Sequence, residues 1–466
     1  MKNQKLEKKS RKMPHLATQQ QDEQDAGGDI EDLFSEQETV KTRESLLEWY
    51  DKNQRDLPWR VSEKDLLNMK NDSNSDKGGG GGEEEEEGKE RRAYEVWVSE
   101  VMLQQTRVQA VIDYYNRWMQ RWPTVHHLAQ ASLEEVNEMW AGLGYYRRAR
   151  FLLEGAKMID AGKAGFPSRA SDLKKIKGIG DYTAGAIASI AFKEVVPLVD
   201  GNVVRVLARL KAISANPKDR VTIKTFWKLA AQLVDPSRPG DFNQSIMELG
   251  ATLCTPLNPS CSSCPISDQC RAHSISRQDK SVLVTDYPAK VVKAKQRHDF
   301  SFVCVVEILG NPCTPGQNQS DSRFLLIKRP DEGLLAGLWE FPSVTLNEEA
   351  NLTMRRKAID NFLKSSFSLD VKKTCIVLRE DVGQFVHIFT HIRRMIYVEL
   401  LILHLKGAVN DLFSKPHEET AWKCVDGNAL SRMGLTSAVR KVYSMIQKFK
   451  QSDVAHSSTK RRKRII

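Results

Sequence analysis

Four cysteines lie close together in the 466-residue chain and have the spacing of a metal centre. They are Cys254, Cys261, Cys264 and Cys270, in the pattern C-x6-C-x2-C-x5-C. Four thiolates in so short a segment can bind tetrahedral zinc or a [4Fe–4S] cluster. Disulfides are the alternative, but we expect a chain without an export signal to lie in a reducing compartment. Zinc ligands usually come as two C-x-x-C-like pairs and this segment has one, so the spacing favours the iron–sulfur cluster.

Two carboxylates in apolar surroundings could take part in proton transfer. Glu100 stands between Val98 and Val101 in a helical pattern. It is therefore either a solvated surface residue or an acid with a raised pKa, poised to donate a proton. Asp200 follows an apolar run and precedes Gly201. A carboxylate in that position most often caps a helix, so the residues alone leave its chemical role open.

A glycine hairpin lies between these two carboxylates in the sequence. Gly178 and Gly180, preceded by Lys177, separate an amphipathic turn from a helix rich in alanine and glycine. Two glycines allow a tight hairpin at a helix start, an arrangement that suits a phosphate oxygen or a bound cation. A short G-x-G pattern is weak alone, and a plain connection between two helices is the alternative.

The elements that must position these residues fall into two units. Apolar residues recur with a helical period over residues 41–273, which predicts an all-α domain. Short β-rich runs with two helical stretches over residues 297–450 predict a smaller α+β domain. Within the first unit, residues 61–93 contain GGGGGEEEEEG and are predicted to form a flexible acidic insertion. The remaining segments are an N-terminus expected to be disordered, a polar connector and a basic tail, at residues 1–40, 274–296 and 451–466.

The charge distribution indicates a nucleic-acid partner. The net charge is +10, and residues 141–230 alone contain 17 Lys or Arg against 7 Asp or Glu. A cationic surface attracts polyanions, although solvated helix faces are the alternative. A mean hydropathy of -0.47, without an apolar run near the ~18 residues that a membrane helix needs, predicts no membrane span. The basic run at residues 460–464 predicts nuclear localisation, with mitochondrial entry left open.

The cysteine spacing downstream of the hairpin resembles the helix-hairpin-helix DNA glycosylases that carry a [4Fe–4S] cluster. The segment around Glu100, WVSEVMLQQT, is very similar to the corresponding helix of the MutY-type adenine DNA glycosylases. Breaking an N-glycosidic bond requires an acid for the leaving base and an anion near the sugar. The resemblance implies that Glu100 protonates N7 of an extruded adenine. It also implies that Asp200 stabilises the positive or covalent sugar intermediate, and that Asn202 helps to hold the site.

The same resemblance implies roles in opening the duplex. Gln105 would enter the DNA beside the lesion, and Tyr145 would wedge into the base stack, since an enzyme that extrudes a base must fill the space left behind. Ordinary helix packing is the alternative for Tyr145. Tyr182 stands where strand-cutting relatives have a lysine that forms a Schiff base, so we expect a monofunctional glycosylase.

The second unit resembles a Nudix fold. The segment from Lys328 to Pro342 is similar to the one that leads into the Nudix pyrophosphatase motif. The helical segment that follows, residues 353–362, lacks the carboxylates that would hold magnesium, so we do not expect pyrophosphate hydrolysis. The resemblance implies instead that Phe389, Thr390 and His391 recognise 8-oxoguanine, with threonine where the relatives have serine. A buried turn is the alternative for these three residues.

Together these features predict an enzyme of base excision repair. We expect it to act as a monomer on double-stranded DNA and remove adenine mispaired with 8-oxoguanine or guanine. Contacts with repair or replication proteins are left open. One alternative is a bifunctional glycosylase and lyase like endonuclease III. The other is a non-catalytic scaffold that binds lesions or carries the cluster.

Overall fold

The structure is a computed structural model, and it consists of a helical unit followed by a unit built on a β-sheet. The residues that it describes are 34–60, 81–162, 165–291, 295–309, 322–330, 332–389, 391–404 and 421–462. Within these ranges, none of the helices has both the length and the apolar character needed to cross a membrane.

The first unit is all-α over its described residues, as predicted. Its helices are α1 (Glu36–Asn53), α2 (Gly81–Leu103), α3 (Val108–Arg121), α4 (Val125–Ala129), α5 (Leu133–Trp140), α6 (Arg147–Gly162), α7 (Ala170–Leu173), α8 (Asp181–Phe192), α9 (Gly201–Leu210), α10 (Arg220–Leu233), α11 (Pro239–Thr252) and α12 (Arg271–Gln278). Short 3-10 turns at Cys261–Ser263, Ser267–Gln269 and Val284–Asp286 flank α12.

Helix α2 runs through the core of this unit and is fixed by buried aromatic residues. Trp97 and Trp118 are fully buried. Trp118 Nε1 donates to the Tyr94 hydroxyl at 3.0 Å, and that hydroxyl donates to Trp122 O at 2.9 Å. Because the polar atoms of Tyr94 and Trp118 are paired, these rings can be buried without leaving an unmet hydrogen bond. The position of α2, which carries Glu100, is therefore set by packing on several sides.

The predicted flexible insertion is wrong for residues 81–93, which form the first turns of α2. A run of glutamates is favourable at a helix N-terminus, where the helix dipole is positive. Glu85 pairs with Lys89 one turn later at 2.8 Å, and Glu90 Oε1 accepts a hydrogen bond from Phe166 N at 2.8 Å. The rest of the predicted insertion, residues 61–80, lies outside the described residues.

Both ends of the described chain are more regular than predicted. Helix α1 begins at Glu36, within the segment expected to be disordered, because Ser35 and Glu38 form a capping box. At the other end, the last helix continues to Arg462, into the predicted basic tail. The basic run at residues 460–464 extends past the last described residue.

The second unit is a mixed sheet with helices on both faces, which agrees with the predicted α+β class. Its elements are β1 (Arg297–Leu309), β2 (Ser322–Lys328), β3 (Trp339–Glu340), β4 (Ser343–Leu346), α13 (Leu352–Phe367), β5 (Cys375–Ile388), β6 (Ile392–His404), β7 (Trp422–Val425), α14 (Gly427–Arg432) and α15 (Ser437–Arg462). The strand order over the described residues is β3-β2-β1-β6-β5, with β4 on β1 and β7 on β2. Strands β1 and β6 are parallel, and the other pairs are antiparallel.

Alternation along β1 divides the apolar side chains between two cores. Phe302, Cys304 and Val306 pack with α13 on one face, whereas Val305 packs with α14 and α15 on the other. Successive side chains of a strand point to opposite faces, so a strand that is apolar at nearly every position must be covered on both.

The two units are in direct contact through α5. Lys328 Nζ lies 3.4 Å from Glu134 Oε1, and the Tyr146 hydroxyl donates to Leu435 O at 3.3 Å. A Cβ added at Gly434 would lie 2.6 Å from backbone atoms of Asn137 and Glu138. The backbone of the second unit therefore approaches α5 closely, just before the loop that contains Tyr145.

We predict that Gly434→Ala weakens the contact between the units. The added methyl group would collide with backbone, which cannot move aside as a flexible side chain can, and overpacking of this kind costs about 1–3 kcal/mol. Denaturant unfolding and limited proteolysis would measure the loss. Gly88→Ala in α2 is the control, because its added methyl group would meet nothing within 4 Å. Equal stability and equal proteolysis of the two variants would contradict the prediction.

Candidate active site

Glu100 and Tyr182 meet inside the first unit. Glu100 lies near the C-terminal end of α2 and is only 7% exposed. Tyr182, in the first turn of α8, donates a hydrogen bond from its hydroxyl group to Glu100 Oε2. The same hydroxyl group lies 3.4 Å from Met247 Sδ on α11. Because α8 packs against both α2 and α11, the carboxyl and phenol groups are held in contact.

The pKa of Glu100 is raised to about 7. Burial is the largest cause, because removing a carboxylate from water disfavours its charged form. The negative charge of Asp200 raises the pKa further, whereas the hydrogen bond from Tyr182 and the positive charge of Arg60 lower it. A carboxyl group that titrates near neutral pH can donate a proton and later accept one. The structure thus favours the raised-pKa interpretation of Glu100 over a solvated surface residue.

Asp200 caps helix α9, and its charge also acts on Glu100 and Tyr182. Its Oδ1 atom accepts from the backbone N–H groups of Asn202 at 2.8 Å and Val203 at 2.7 Å, and Oδ2 accepts from Asn202 Nδ2 at 2.8 Å. Burial raises the pKa of Asp200, and these hydrogen bonds oppose that rise by stabilising the anion. Its charge also raises the pKa values of Glu100 and Tyr182. The helix cap therefore fixes the Asp200 carboxylate close to that of Glu100. Asp200 can thus cap the helix and also take part in the chemistry of the site.

Asn202 connects Asp200 to the cysteine segment. Asn202 Oδ1 accepts from Arg205 Nη2 at 2.7 Å. The same guanidinium donates from Nε to Cys254 O at 2.7 Å and from Nη2 to Gly250 O at 2.7 Å. Helix α9 thus has Asp200 at its N-cap. About one turn later it carries Arg205, which binds the backbone of the first cysteine, Cys254.

An ion-pair network beside Glu100 was missed by the sequence analysis. The side chain of Glu248 is fully buried, with Oε1 2.6 Å from Arg55 Nε and Oε2 2.7 Å from Arg60 Nη2. Burial alone would raise the pKa of Glu248, but the two guanidinium groups hold it below its ordinary value. Arg60 therefore pairs with one buried acid, Glu248, and its charge also acts on the other, Glu100. The signal in the sequence was an acidic residue inside the apolar pattern of α11, the same signal that identified Glu100 in α2.

The predicted glycine hairpin is present and packs tightly on α6. Gly178 has a φ of +88°, and a Cβ there would lie 2.6 Å from Phe151 Cβ, so glycine is needed for both reasons. Gly180 is the N-cap of α8. Lys177 Nζ pairs with Glu154 Oε2 at 2.8 Å, and the side chain of Lys177 remains 53% exposed. The hairpin thus presents a helix N-terminus next to an exposed lysine, while its phosphate contact stays a prediction.

Gln105 and Tyr145 lie in two loops that adopt a strained backbone. Gln105 has a φ of 56° and Tyr145 a φ of 49°. Tyr145 is 47% exposed, whereas the next residue, Tyr146, is buried. Simple packing therefore describes Tyr146, whereas about half of the Tyr145 surface remains exposed.

In the second unit, Phe389 and His391 belong to the turn between β5 and β6. Phe389 N donates to Ile392 O at 2.8 Å, and the rings of His387 and Phe389 are 4.6 Å apart. Phe389 is half-buried and His391 is exposed, so the structure disfavours the buried-turn alternative. Thr390 lies outside the described residues.

The four cysteines line one small cavity between α9 and the loop that follows α11. Cys254, Cys261, Cys264 and Cys270 are all free thiols, so the disulfide alternative is wrong. Arg209, which is buried, donates from Nη1 to Cys254 Sγ at 3.2 Å. Burial and the neighbouring thiols raise the pKa of Cys264 to about 12 and that of Cys270 to about 11.

The chemistry of this donor set fits a sulfur-liganded metal group. Buried thiols ionise when positive charge compensates for the lost hydration, which a metal ion or cluster supplies. Thiolates alone are the ligands of four-cysteine zinc sites and of iron–sulfur clusters. In the part of the chain that the structure describes, no set of three or more His, Cys, Asp or Glu side chains has the arrangement of a ready-made site for a metal ion.

Comparison with protein families assigns each unit. Residues 98–232 match the model of the HhH-GPD superfamily of base excision DNA repair proteins, and residues 317–445 match the model of the NUDIX domain. The first match contains both candidate carboxylates, and the second contains the turn between β5 and β6.

Similarity to curated proteins extends over most of the chain. An adenine DNA glycosylase of Arabidopsis thaliana is 63% identical over 439 residues, which are 89% of this chain and 66% of that protein. The Mus musculus adenine DNA glycosylase is 40% identical over 461 residues, 90% of this chain and 80% of that protein. The Schizosaccharomyces pombe enzyme is 35% identical over 446 residues, 88% of this chain and 93% of that protein. The chain belongs to the adenine DNA glycosylase family.

Membership of the adenine DNA glycosylase family confirms the fold class and the enzyme class predicted from the sequence. It also makes DNA the partner, as the charge distribution indicated. The chain spans about two thirds of the length of its Arabidopsis relative. The roles of individual residues in this adenine DNA glycosylase remain predictions.

We predict that Tyr182→Phe raises the pKa of Glu100 above its wild-type value of about 7. The Tyr182 hydroxyl group hydrogen-bonds the charged form of Glu100, and losing such a bond costs roughly 1.5–3 kcal/mol, which is about one to two pH units. Infrared titration of the buried carboxyl band, identified by its loss in Glu100→Gln, would measure the shift. Tyr443→Phe in α15 is the control. A carboxyl band that titrates at the same pH in Tyr182→Phe and in the wild type would disprove the assignment.

Proposed function

We propose that this protein hydrolyses the N-glycosidic bond of adenine mispaired with 8-oxoguanine or guanine in double-stranded DNA. The observation that carries the proposal is the buried Glu100 carboxyl group, with a pKa of about 7, beside the capped carboxylate of Asp200. Cleavage of a glycosidic bond requires two carboxyl groups in different environments, one that donates a proton and one that stays ionised.

Glu100 supplies the proton for the leaving base. An extruded adenine places N7 against the protonated carboxyl group, and the proton moves from Glu100 to N7. The bond between C1′ and N9 then breaks, and its electron pair leaves with the base. Protonation makes adenine a better leaving group, and general acid catalysis of this kind contributes about 10²–10⁴-fold to a rate.

Asp200 stabilises the positive charge that develops on the sugar. Its carboxylate is held by two backbone N–H groups and by Asn202, so it does not have to reorient as the charge appears. Water then attacks C1′, and the ionised Glu100 accepts the proton of that water. The carboxyl group of Glu100 is thereby restored for the next cycle, because the proton lost to adenine is regained from water.

The enzyme is expected to release the base without cutting the strand. Tyr182 is partly buried and bonded to Glu100, and loss of hydration, followed by the charges of Glu100 and Asp200, raises its pKa well above the ordinary value. A neutral phenol cannot form the Schiff base through which bifunctional relatives eliminate the 3′ phosphate. Hydrolysis by water is therefore favoured over the lyase alternative.

The four cysteines are proposed to hold a [4Fe–4S] cluster. Such a group, when bound, would supply the positive charge that lets the partly buried thiols ionise and would tie the loop of residues 254–270 together. Arg209 and Arg205 then connect that loop to α9 through Cys254 O, at 3.2 and 2.7 Å. This assignment makes the cluster structural, with a link to Asp200 through Asn202.

Recognition of the mispair is proposed to involve both units. The hairpin at Lys177 to Gly180 would bind a backbone phosphate, since helix N-termini and lysines favour anions. The turn of Phe389, Thr390 and His391 would read 8-oxoguanine, because an aromatic ring and hydrogen-bonding groups at the surface suit an exposed base edge. The second unit has Arg355 and Arg356 on α13, where a Nudix hydrolase needs carboxylates for magnesium, so its role is recognition.

We predict that the purified protein releases adenine from a duplex with adenine opposite 8-oxoguanine, and more slowly from one with adenine opposite guanine. Glu100→Gln should reduce the single-turnover rate by about 10²–10⁴-fold. Asp200→Asn should reduce it by about 10²–10³-fold. Glu44→Gln, an exposed carboxylate on α1, is the control.

Two results would exclude the proposed function. Undiminished rates in both active-site variants would remove the assigned roles, and no release by the wild-type protein would favour the scaffold alternative. Borohydride trapping adds a separate check, because a trapped covalent DNA adduct would support the bifunctional alternative.

We predict about four iron and four acid-labile sulfide ions per chain in protein purified without oxygen. Cys264→Ser should lose most of this iron and also lower the thermal stability, because metal binding couples to folding. Cys375→Ser on β5 is the control, since that thiol is exposed and far along the chain from the other four. One zinc ion per chain, or unchanged iron in Cys264→Ser, would contradict the assignment.

A further inference from the structure

Two residues with strained backbones stand on separate loops, and both are candidates to enter the duplex. Gln105 follows the C-terminal end of α2, and Tyr145 precedes α6. Each has a positive φ, which costs a residue other than glycine about 1–2 kcal/mol. Such conformations persist only where the surrounding structure enforces them. The side chain of Arg148 lies between the two loops.

Arg148 binds the end of α2 and the loop of Gln105. Its Nη1 atom donates to the carbonyl oxygens of Val101 at 2.8 Å, Met102 at 3.1 Å and Gln104 at 2.7 Å. The last carbonyl groups of a helix have no partner within that helix, so this cation satisfies acceptors that would otherwise be unmet. The acceptor on Gln104 fixes the residue directly before Gln105.

The other side of the same guanidinium group binds the loop of Tyr145. Arg148 Nη2 donates to Leu143 O at 3.4 Å and to Gly144 O at 3.1 Å. The guanidinium carbon lies 5.4 Å from the centre of the Tyr145 ring and 5.2 Å from that of Trp140. Trp140 Nε1 also donates to Gly144 O, at 2.8 Å. The backbone immediately before Tyr145 and the ring itself are therefore held by one side chain and a buried tryptophan.

All of these carbonyl acceptors are neutral. They bond two different nitrogen atoms of one guanidinium group, an arrangement that only arginine can provide. A guanidinium group presents donors on two sides of a rigid plane, whereas an ammonium group is a compact point charge. Burial lowers the pKa of Arg148 to about 10, which leaves it charged at neutral pH. Lysine at this position would keep the charge but could not bond both loops at once.

We propose that Arg148 is a positioning residue that sets the spacing between Gln105 and Tyr145 and so prepares both for entry into the duplex. This inference rests on the proposed function, because it assigns these two side chains to base extrusion. It separates extrusion from bond cleavage, since Arg148 bonds the loops rather than the carboxyl groups of Glu100 and Asp200. Losing the spacing should therefore slow extrusion more than the chemical step.

The test compares Arg148→Lys with the wild-type protein on two substrates under single-turnover conditions with excess protein. One is a duplex with adenine opposite 8-oxoguanine, and the other has adenine opposite an abasic-site analogue, where pairing no longer resists extrusion. A misplacement of about 1 Å can cost roughly 10²-fold in rate, so we expect a loss of about 10–100-fold on the paired duplex. The loss on the unpaired adenine should be less than about threefold, because extrusion is the slower step only when the base is paired.

A fluorescence measurement made before the base is released reports extrusion separately from bond cleavage. With 2-aminopurine in place of the target adenine, unstacking by the wild-type protein should raise the fluorescence, and Arg148→Lys should give a smaller rise. This measurement keeps the inference separate from the proposed function, because the wild-type protein could unstack the base and yet fail to release it.

Two control variants and a second substitution complete the experiment. Arg147→Lys, at the exposed neighbouring position, should behave as the wild type on both substrates. Glu100→Gln should lose release from both substrates while retaining the fluorescence rise. Arg148→Gln keeps two hydrogen-bond donors without the charge. If Arg148→Lys unfolds, Arg148→Gln replaces it in the same assays, at a temperature below the melting temperature of Arg148→Gln. Equal losses on the two substrates, or a fluorescence rise in both Arg148 variants equal to the wild-type rise, would overturn the inference.

Discussion

A carboxyl group held out of water, yet able to exchange a proton, is the constraint on which the first unit depends. Raising the pKa of Glu100 from 4.5 to about 7 costs the folded state about 3 kcal/mol of stability. This cost is absent below the ordinary pKa and complete above the raised one, because only the ionised form is penalised. Trp97, Val98 and Met102 are buried around it on α2, and each fully buried apolar side chain contributes about 1.5–3 kcal/mol. The packing of α2 therefore outweighs the penalty at its own functional residue.

Two neighbours divide the control of that carboxyl group. Tyr182 lowers the pKa of Glu100 by hydrogen-bonding its charged form, and Asp200 raises it through its own charge. Arg60 acts in the same direction as Tyr182, and Glu248 fixes the position of that guanidinium group. The resulting balance keeps Glu100 near neutral pH, where one group can serve as acid and then as base. Removing any one of these partners should therefore shift the pH dependence of the reaction and not only change its rate.

The sequence predicted the local chemistry well, and it failed where distant segments meet. Glu100 was identifiable because a charged residue interrupts an apolar helical pattern. Glu248 showed the same signal, but its partners Arg55 and Arg60 lie 193 and 188 residues away, and no local pattern encodes that pairing. The start of α2 was misjudged for another reason. The glutamate run by itself predicts a flexible acidic insertion, although its charges are favourable at a helix N-terminus and Glu85 has Lys89 one turn away.

Gln105 and Tyr145, the residues proposed to enter the duplex, lie on loops that are fixed by protein groups not expected to contact DNA. Arg148 fixes the loops before Gln105 and Tyr145, and Tyr146, the residue after Tyr145, bonds the second unit through Leu435 O at 3.3 Å. A loop held by a partly buried cation on one side and by another domain on the other keeps its conformation before substrate arrives. Such preorganisation lowers the cost of ordering the loop on binding. The strained backbone at Tyr145 is thus supported by the folding energy of both units.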